Sequence, residues 1–581
     1  MKDERIRAEI MSARKNNLPV YVVNDKKNAD KMIELGYCAV VIAEEIQDYL
    51  LDLPGTKVII ITKNSDEGKK LAGDIRKQVE NYAYATAIFI PSRKDNGDLS
   101  DYLDNCYDAR DLERHMSELK YQYAKYIKLE AGTGEEEQVK GIVADHLADA
   151  LARTLPYIIV KDLADGTEHI YLWNHGVYEK STAVMVKKEI KRFIPTGLAS
   201  DALLRNVYTL FLCNENAKVI DASMLNNNED IINLRNGFLN IRTGKIEPHQ
   251  SDELTTWQLD FDYKPSEREC PVFDKFINDL CSTKDGIIDE DIKARIQEFG
   301  GLLLSNINVS RVKKCLMLVS PIGNTGKSQL LKLFSKMLGT GKTANIPLQN
   351  MTEKNRFGLS QTIDTRAIVC GDQTGAVVQD SSVFKMLTGG DAVRIEIKQK
   401  TPFDFYFKGG IVIACNAAPT FKDDKGSHIF DRLLVIPCEH VVSEQEADSY
   451  ICDKMLTEKT AIFNWFLDGL NRLIKNNFHF TKSERADIFM CEYREKQDTV
   501  YRFLQENEFV VTNNPHDTVK KSTFNAAYTS WLKQNQLDGV AEKNVKYRLQ
   551  KLGVNCKKTS YETETGVWCY TFIKDTKNYL S

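Results

Sequence analysis

The sequence predicts a multidomain α/β and α+β protein: a central phosphate-loop domain, a smaller α/β domain before it and a winged helix at the far end. Three observations carry that prediction. The apolar run Cys315-Leu316-Met317-Leu318-Val319 leads through Pro321-Ile322-Gly323-Asn324-Thr325-Gly326-Lys327-Ser328 into the helix-like Gln329-Leu330-Leu331-Lys332-Leu333-Phe334. Strands and helices alternate through the first hundred residues. Residues 499–577 read as helix, helix, helix and hairpin. A chain of 581 residues is too long for one core, and length alone favours three or four domains.

Strand, small-residue loop, Gly-Lys-Ser and helix is the layout of a phosphate-binding loop. Backbone N–H groups of Gly323, Asn324, Thr325 and Gly326 would ring a β-phosphate, with the helix N-terminus at Gln329 adding its positive dipole end. Lys327 would reach the β- and γ-phosphates, and the Ser328 hydroxyl would ligate Mg²⁺. ATP and Mg²⁺ are therefore the expected cofactors. Pro321 stands where the motif has its first glycine.

Four features follow in order. Ala367-Ile368-Val369-Cys370-Gly371-Asp372-Gln373 is an apolar strand ending in an acid, and Asp372 is placed to hold Mg²⁺ or polarise the attacking water. Ile411-Val412-Ile413-Ala414-Cys415-Asn416 is a second buried strand; Asn416 is either a turn residue or an orienter of water at the γ-phosphate. Between them, Lys398 and Lys400 sit on a basic tip flanked by alternating strands, which reads as a solvated turn or a grip on a phosphate backbone. Arg432 precedes the strand Leu433-Leu434-Val435-Ile436, where an arginine can stabilise charge on a neighbouring subunit's γ-phosphate.

Taken together, residues 297–440 resemble the superfamily 3 helicase domain of phage, plasmid and poxvirus-type primase-helicases, an AAA+-like fold. The marks are the Asn-Thr-Gly-Lys-Ser loop, Leu387-Thr388-Gly389-Gly390-Asp391, Ala414-Cys415-Asn416-Ala417-Ala418-Pro419 and Asp431-Arg432-Leu433. The resemblance implies that Lys327, Ser328 and Asp372 serve nucleotide and Mg²⁺, that Asn416 is the sensor and Arg432 a finger acting in trans, and that Lys398 and Lys400 form a translocating hairpin. It also implies a homo-hexameric ring moving on single-stranded and forked DNA, with ATP as fuel. The second acidic position of the Asp372 strand is Gln373, a departure that leaves the catalytic base to Asp372 alone or to a carboxylate elsewhere.

The flanking segments divide as 1–104, 105–137, 138–265, 266–310, 311–490 and 491–581. The order of strands in the first of these resembles a TOPRIM domain, but its Glu position is Asn24 and its Asp-x-Asp positions are Lys63 and Ser65. Without those carboxylates a hard cation has no oxygen anions to bind, so the domain reads as a degenerate scaffold. An irregular metal site of Asp66, Glu67, Asp98 and Asp101 is the alternative. Residues 104–137 read as a charged helical linker. Ile232-Asn233-Leu234-Arg235-Asn236-Gly237-Phe238-Leu239 resembles the domain preceding the helicase in poxvirus-type primase-helicases. Residues 271–307 form a helical collar.

In the winged helix the third helix carries Lys543, Lys546, Arg548 and Lys551, and Lys557-Lys558 begins the wing. These basic side chains would grip phosphates while Asn544, Arg548 or Gln550 faces base edges, with Lys520-Lys521 adding charge; protein docking is the alternative use.

Composition limits the rest. At 42% apolar and 28% charged residues the chain is of the globular class, and no apolar run nears the roughly 20 residues that span a bilayer. The start Met1-Lys2-Asp3-Glu4-Arg5 has no signal-peptide core. Thirteen scattered cysteines without a Cys-x-x-Cys pair exclude a zinc ribbon and fit reduced thiols, so a bacterial host cytoplasm is expected and no membrane partner. A net charge of −4 confines any nucleic-acid contact to a channel or patch. The expected function is an ATP-dependent replicative helicase and initiator of a mobile element, with origin DNA and replication proteins as partners. The rival readings are a bifunctional primase-helicase and a non-enzymatic origin-binding scaffold.

Overall fold

The computed structural model describes residues 2–576 apart from 42–45, 47–48, 92–95, 105–111, 113, 117, 132–136, 374–375, 423–427, 536, 538, 541 and 562–563. The chain forms two compact units, Met1–Asp162 with Gly166–Leu225, and Leu163–Asp165 with Asn226–Ser581. Among the described residues no helix is long and apolar enough to cross a membrane.

The first unit opens with α1 (Lys2–Lys15) and a mixed sheet of order β2-β1-β3-β4-β5. Its parallel strands are β1 (Pro19–Val23), β2 (Ala39–Val41), β3 (Lys57–Ile61) and β4 (Ala85–Phe89), joined through α2 (Lys26–Glu34) and α3 (Asp66–Val79). Alternation explains the layering. Val20, Val22, Val58 and Ile60 pack with Ile10 and Ile75 on one face, and Tyr21, Val23, Ile59 and Ile61 with Met32 and Leu99 on the other.

Residues 104–137, expected as a charged helical linker, are helical at 104, 112 and 114–116 but include strands further on, with 105–111, 113, 117 and 132–136 outside the described residues. Within them β5 (Gln122–Tyr123) joins the first sheet antiparallel, and β6 (Ile127–Ala131) pairs with β7 (Glu137–Ile142) as a ribbon. Ile127-Lys128-Leu129-Glu130 alternates with period two, and that period outweighs the charge content. A second sheet, order β10-β9-β8-β11, follows: α4 (Ala144–Thr154), β8 (Tyr157–Lys161), β9 (Glu168–Asn174), β10 (Val177–Lys180), α5 (Ala183–Phe193), α6 (Asp201–Leu212) and β11 (Lys218–Asp221). Its core of Leu151, Ile159, Phe193 and Phe211 is continuous with Tyr84 and Tyr126, so the packing does not part at the expected 104 and 138 boundaries.

In the second unit β12 (Ile231–Leu234), β13 (Gly237–Asn240) and β14 (Lys245–Glu247) form a meander. The expected 138–265 domain is thus divided near residue 225. Ile232, Leu234 and Leu239 share one core with the collar helices α7 (Pro271–Cys281) and α8 (Glu290–Leu303) and with one face of the central sheet.

That sheet contains β15 (Cys315–Val319), β16 (Thr343–Asn345), β17 (Ala367–Gln373), β21 (Gly410–Cys415) and β23 (Leu433–Pro437), all parallel, in the order β16-β17-β21-β15-β23. Helices α9 (Lys327–Leu338) and α10 (Ser382–Gly389) connect it, with the small pairs β18 (Val377–Val378) with β22 (Thr420–Phe421) and β19 (Ala392–Ile395) with β20 (Phe403–Tyr406). Every residue of β15, β21 and β23 is buried, as parallel strands covered on both faces must be. Leu316, Leu318, Val412, Ala414, Leu434 and Ile436 meet α7, α8, α9 and α11 (Lys459–Lys475). Met317, Val319, Ile413 and Val435 meet Phe384, Leu387, Val393 and Ile395.

Helix α12 (Glu484–Gln497) leads into the C-terminal segment: α13 (Thr499–Glu506), β24 (Phe509–Val511), β25 (Thr518–Lys520), α14 (Lys521–Gln534), α15 (Glu542–Lys551), β26 (Asn555–Tyr561), β27 (Glu564–Thr571) and β28 (Ile573–Asp575). Phe503, Phe524, Trp531, Leu549 and Tyr570 fill its core. Tyr561 of β26 pairs with Glu564, so Glu564-Thr565-Gly566 begin β27.

The collar is locked to α11 by Glu298, a fully buried carboxylate that accepts from Arg472 Nε at 2.7 Å and from Thr481 N and Oγ1 at 2.9 and 2.6 Å. Glu298→Ala removes three charge-assisted bonds and leaves the guanidinium without its partner. It should cost about 2–4 kcal/mol, read as a lowered denaturant midpoint, with Glu298→Gln retaining part of the loss.

Candidate functional site

The loop between β15 and α9 lies at the carboxyl end of the central sheet, where open parallel sheets bind ligands. Gly326 caps α9 with φ +84°, and a Cβ there would meet the Phe276 ring at 3.1 Å. Asn324, also left-handed at φ +58°, is tied to the segment after β23: its side-chain amide donates to the Val442 carbonyl, and Val442 N donates back to Asn324 O at 3.0 Å. Ser320 N donates to Cys415 O at 3.1 Å, and Ile322 N to Ser320 Oγ at 3.2 Å. The start of the loop is therefore held by the sheet and its middle by the segment that follows β23.

Lys327 is the cationic side chain of the loop. Only 7% exposed, it turns its ammonium into the concavity, donating to Thr325 Oγ1 at 3.1 Å and Ile322 O at 3.4 Å. The nearby Cys415 and Cys438 thiols are pushed up to about 12 by burial, so both stay neutral at physiological pH. Gln329 Oε1 is buried without a hydrogen-bond partner in the first turn of α9. Gly323 and Ser328 are exposed. An exposed rim, a loop tied at several points and a buried ammonium are the features a polyanion site requires.

Register brings the other expected residues to this end. Val319 pairs with Cys415, so the exposed Asn416 follows β21 beside the start of the loop. In β17, Cys370 pairs with Ile413 but Gln373 with Cys415, a bulge spanning Gly371 and Asp372. Bulges of this kind re-aim a side chain at the edge of a site. The Asp372 and Gln373 side chains lie outside the described residues.

Arg432 sits elsewhere. Cys315 pairs with Leu433, so Arg432 stands at the amino end of β23, and five strand residues at roughly 3.3 Å each put about 16 Å between it and the loop. Its Nη1 donates to Thr388 Oγ1 at 2.9 Å, over Gly389, where a Cβ would come within 3.3 Å of that nitrogen. Its neighbour Asp431 accepts from Arg494 Nη2 at 2.9 Å, and Arg494 lies over the Phe430 ring at 5.6 Å. From the same helix, Tyr493 donates to the Pro419 carbonyl. Sequence reasoning named Thr388 without this role and missed Tyr493 and Arg494, whose partners lie more than 60 residues away.

The expected DNA-contacting residues divide. Lys398 is exposed on the β19–β20 connection, where Gln399 takes φ +66°. Lys400 is half-buried, 3.4 Å from Asp165. Lys543 and Lys557 are exposed, and Lys546 lies over Trp568 at 5.9 Å. Arg548 departs from its expected base-facing role: it pairs with Asp498 at 2.9 Å, 22% exposed, because position 548 shares a helix side with the buried Val545 and Leu549. Lys520 and Lys521 are likewise paired, with Glu564 and Glu542 at 2.8 and 2.9 Å.

In the first unit Ser65 is the N-cap of α3, accepting from Gly68 N at 3.0 Å. Asn24 accepts from Asn28 Nδ2 at 3.4 Å, and Asp98 and Asp101 each accept the other's backbone N–H at 3.0 Å. Those carboxylates serve the local turn. Among the described residues, no group of three or more His, Cys, Asp or Glu is disposed to hold a metal ion.

Comparison with known proteins adds two family matches. Residues 119–282 match the family described as "D5 N terminal like", and residues 318–432 match "Family of unknown function (DUF5906)". A curated viral protein, "Putative helicase 121R" of Invertebrate iridescent virus 3, is 25% identical over 242 residues, 36% of this chain. The chain spans about a quarter of the length of that relative. Among solved structures, the A-form apo NrS-1 C-terminal region is similar at a TM-score of 0.40 and 13% identity, over 70% of this chain and 84% of that one. A second form of the same region, 305–718, gives 0.40 and 12%, over 73% and 98%.

Gly326→Ala places a Cβ on a left-handed residue and against Phe276. It should cost about 1–2 kcal/mol in thermal unfolding, whereas Gly323→Ala, with open space around it, should cost less than half as much.

Proposed function

We propose that this chain is an ATP-dependent DNA helicase of the superfamily 3 type, with an AAA+-like core, a ring-forming assembly and a C-terminal winged helix, belonging to a phage, plasmid or viral replication system. One observation carries the proposal: Lys327 and Arg432 lie at opposite ends of adjacent strands of one parallel sheet. In this reading Arg432 is a finger out of reach of its own loop, and a neighbouring copy supplies it. The "D5 N terminal like" match and the viral helicase-named relative support the replication setting.

In this reading the triphosphate settles on the backbone N–H groups of residues 323–328. Lys327 exchanges Thr325 Oγ1 and Ile322 O for β- and γ-phosphate oxygens. Ser328 and Asp372 supply hard oxygen donors suited to Mg²⁺, which needs few protein ligands when phosphate oxygens and waters complete its shell. When bound, that ion neutralises charge on the phosphates. Asn416 orients water, and the neighbour's Arg432, released from Thr388, meets the charge developing on the γ-phosphate. Each closure moves the β19–β20 tip with Lys398 along a single strand. The first unit, with Asn24, Lys63 and Ser65 in place of carboxylates, serves as a scaffold for replication partners rather than a primase.

Lys327→Ala should reduce ATP hydrolysis at least 100-fold, measured by phosphate release with and without single-stranded DNA. Lys327→Ala and Arg432→Ala chains, each inactive alone, should recover part of the rate when mixed, because intact sites form at mixed interfaces. No recovery at any ratio would remove the in-trans assignment. Lys398→Ala should leave basal hydrolysis within about two-fold and abolish strand separation on a fork; loss of basal turnover would instead mark the tip as structural.

A further inference from the structure

Trp568 is the large aromatic of the C-terminal segment that the core does not take. It is 48% exposed on β27, while Phe503, Phe524, Trp531 and Tyr570 around it are buried. Two cations lie over its ring, on flexible stems from which a stacked base would displace them towards its own phosphates: Lys558 Nζ, directly cross-strand on β26, is 5.8 Å from the centroid, and Lys546 Nζ, from α15, is 5.9 Å away. The next residue, Tyr547, is 58% exposed, with Lys551 Nζ from one turn further along 4.9 Å over its ring. Among the described residues no carboxylate pairs with any of these three lysines, although Lys520, Lys521 and Arg548 of the same segment are all paired. Among the described residues, then, these cations gather beside exposed aromatic rings rather than beside carboxylates.

We infer that Lys546, Trp568 and Lys558 form a stacking site for single-stranded DNA, in which one unpaired base lies on the Trp568 ring and the two ammonium groups hold the flanking phosphates. An exposed indole between cations suits an unstacked base, since every base has a π-face and the phosphates follow it at either side. A duplex keeps its bases stacked and offers this ring no partner, so the site reads strand separation rather than sequence. This rests on the proposed DNA-binding use of the C-terminal segment and deepens it, assigning the wing to the melted strand.

The test uses the full chain without nucleotide, a fluorescent oligo(dT) and a fluorescent hairpin duplex, read by anisotropy. Trp568→Ala should weaken oligo(dT) binding about 5- to 100-fold and duplex binding less than two-fold, and Trp568→Phe should restore most of the loss. Oligo(dT) bearing 5-iodouracil should photo-crosslink to the peptide containing Trp568. Unchanged oligo(dT) affinity in Trp568→Ala, an equal loss on duplex, or crosslinks confined to other peptides would each overturn the inference. Failure of ATP hydrolysis in the same chain would count against the helicase reading and leave these binding results to stand or fall separately.

Discussion

The central parallel sheet imposes the constraint on which the second unit depends. β15 is paired on both sides, by β21 and β23, and buried throughout, so whatever follows its carboxyl end is fixed relative to whatever precedes the strands beside it. Val319 leads to the loop that holds Lys327, Cys415 leads to Asn416, and Leu433 is preceded by Arg432. Two groups at the loop end and one at the far end follow from register alone. A rigid sheet cannot bring its two ends together, and in the proposed reading that distance is bridged by a second copy.

Helix α12 links features that the sheet keeps apart. Tyr493 binds the Pro419 carbonyl, three residues beyond Asn416, and Arg494 binds Asp431, next to Arg432. The helix runs on to Asp498, which caps α13 and pairs with Arg548 on α15. A displacement of the C-terminal segment would therefore be felt by both the Asn416 and the Arg432 segments through continuous hydrogen bonds. Arg548 is held in that position as a structural tie to Asp498.

Much of this was legible in the sequence where local chemistry decides. The loop, its flanking strand and helix, the acid-ended β17 and the three helices with a hairpin at the end all carry short-range signals: apolar runs, glycines and alternation. The failures share a cause. Charge content in 104–137 suggested a helix, but the two-residue period in 127–130 governs the backbone. Basic residues at 400, 520, 521 and 548 looked available because their carboxylate partners, Asp165, Glu564, Glu542 and Asp498, are distant in sequence. Trp568 drew no notice, since exposure of an indole is a tertiary property. Shared cores also run across points where composition changes, because packing is a tertiary property.

The most direct measurement of the central claim is ATP hydrolysis per chain as a function of chain concentration, with molar mass followed in parallel by light scattering. A site completed by the neighbour's Arg432 predicts specific activity that collapses as the mass falls to that of one chain. Constant specific activity down to a population of single chains would contradict it.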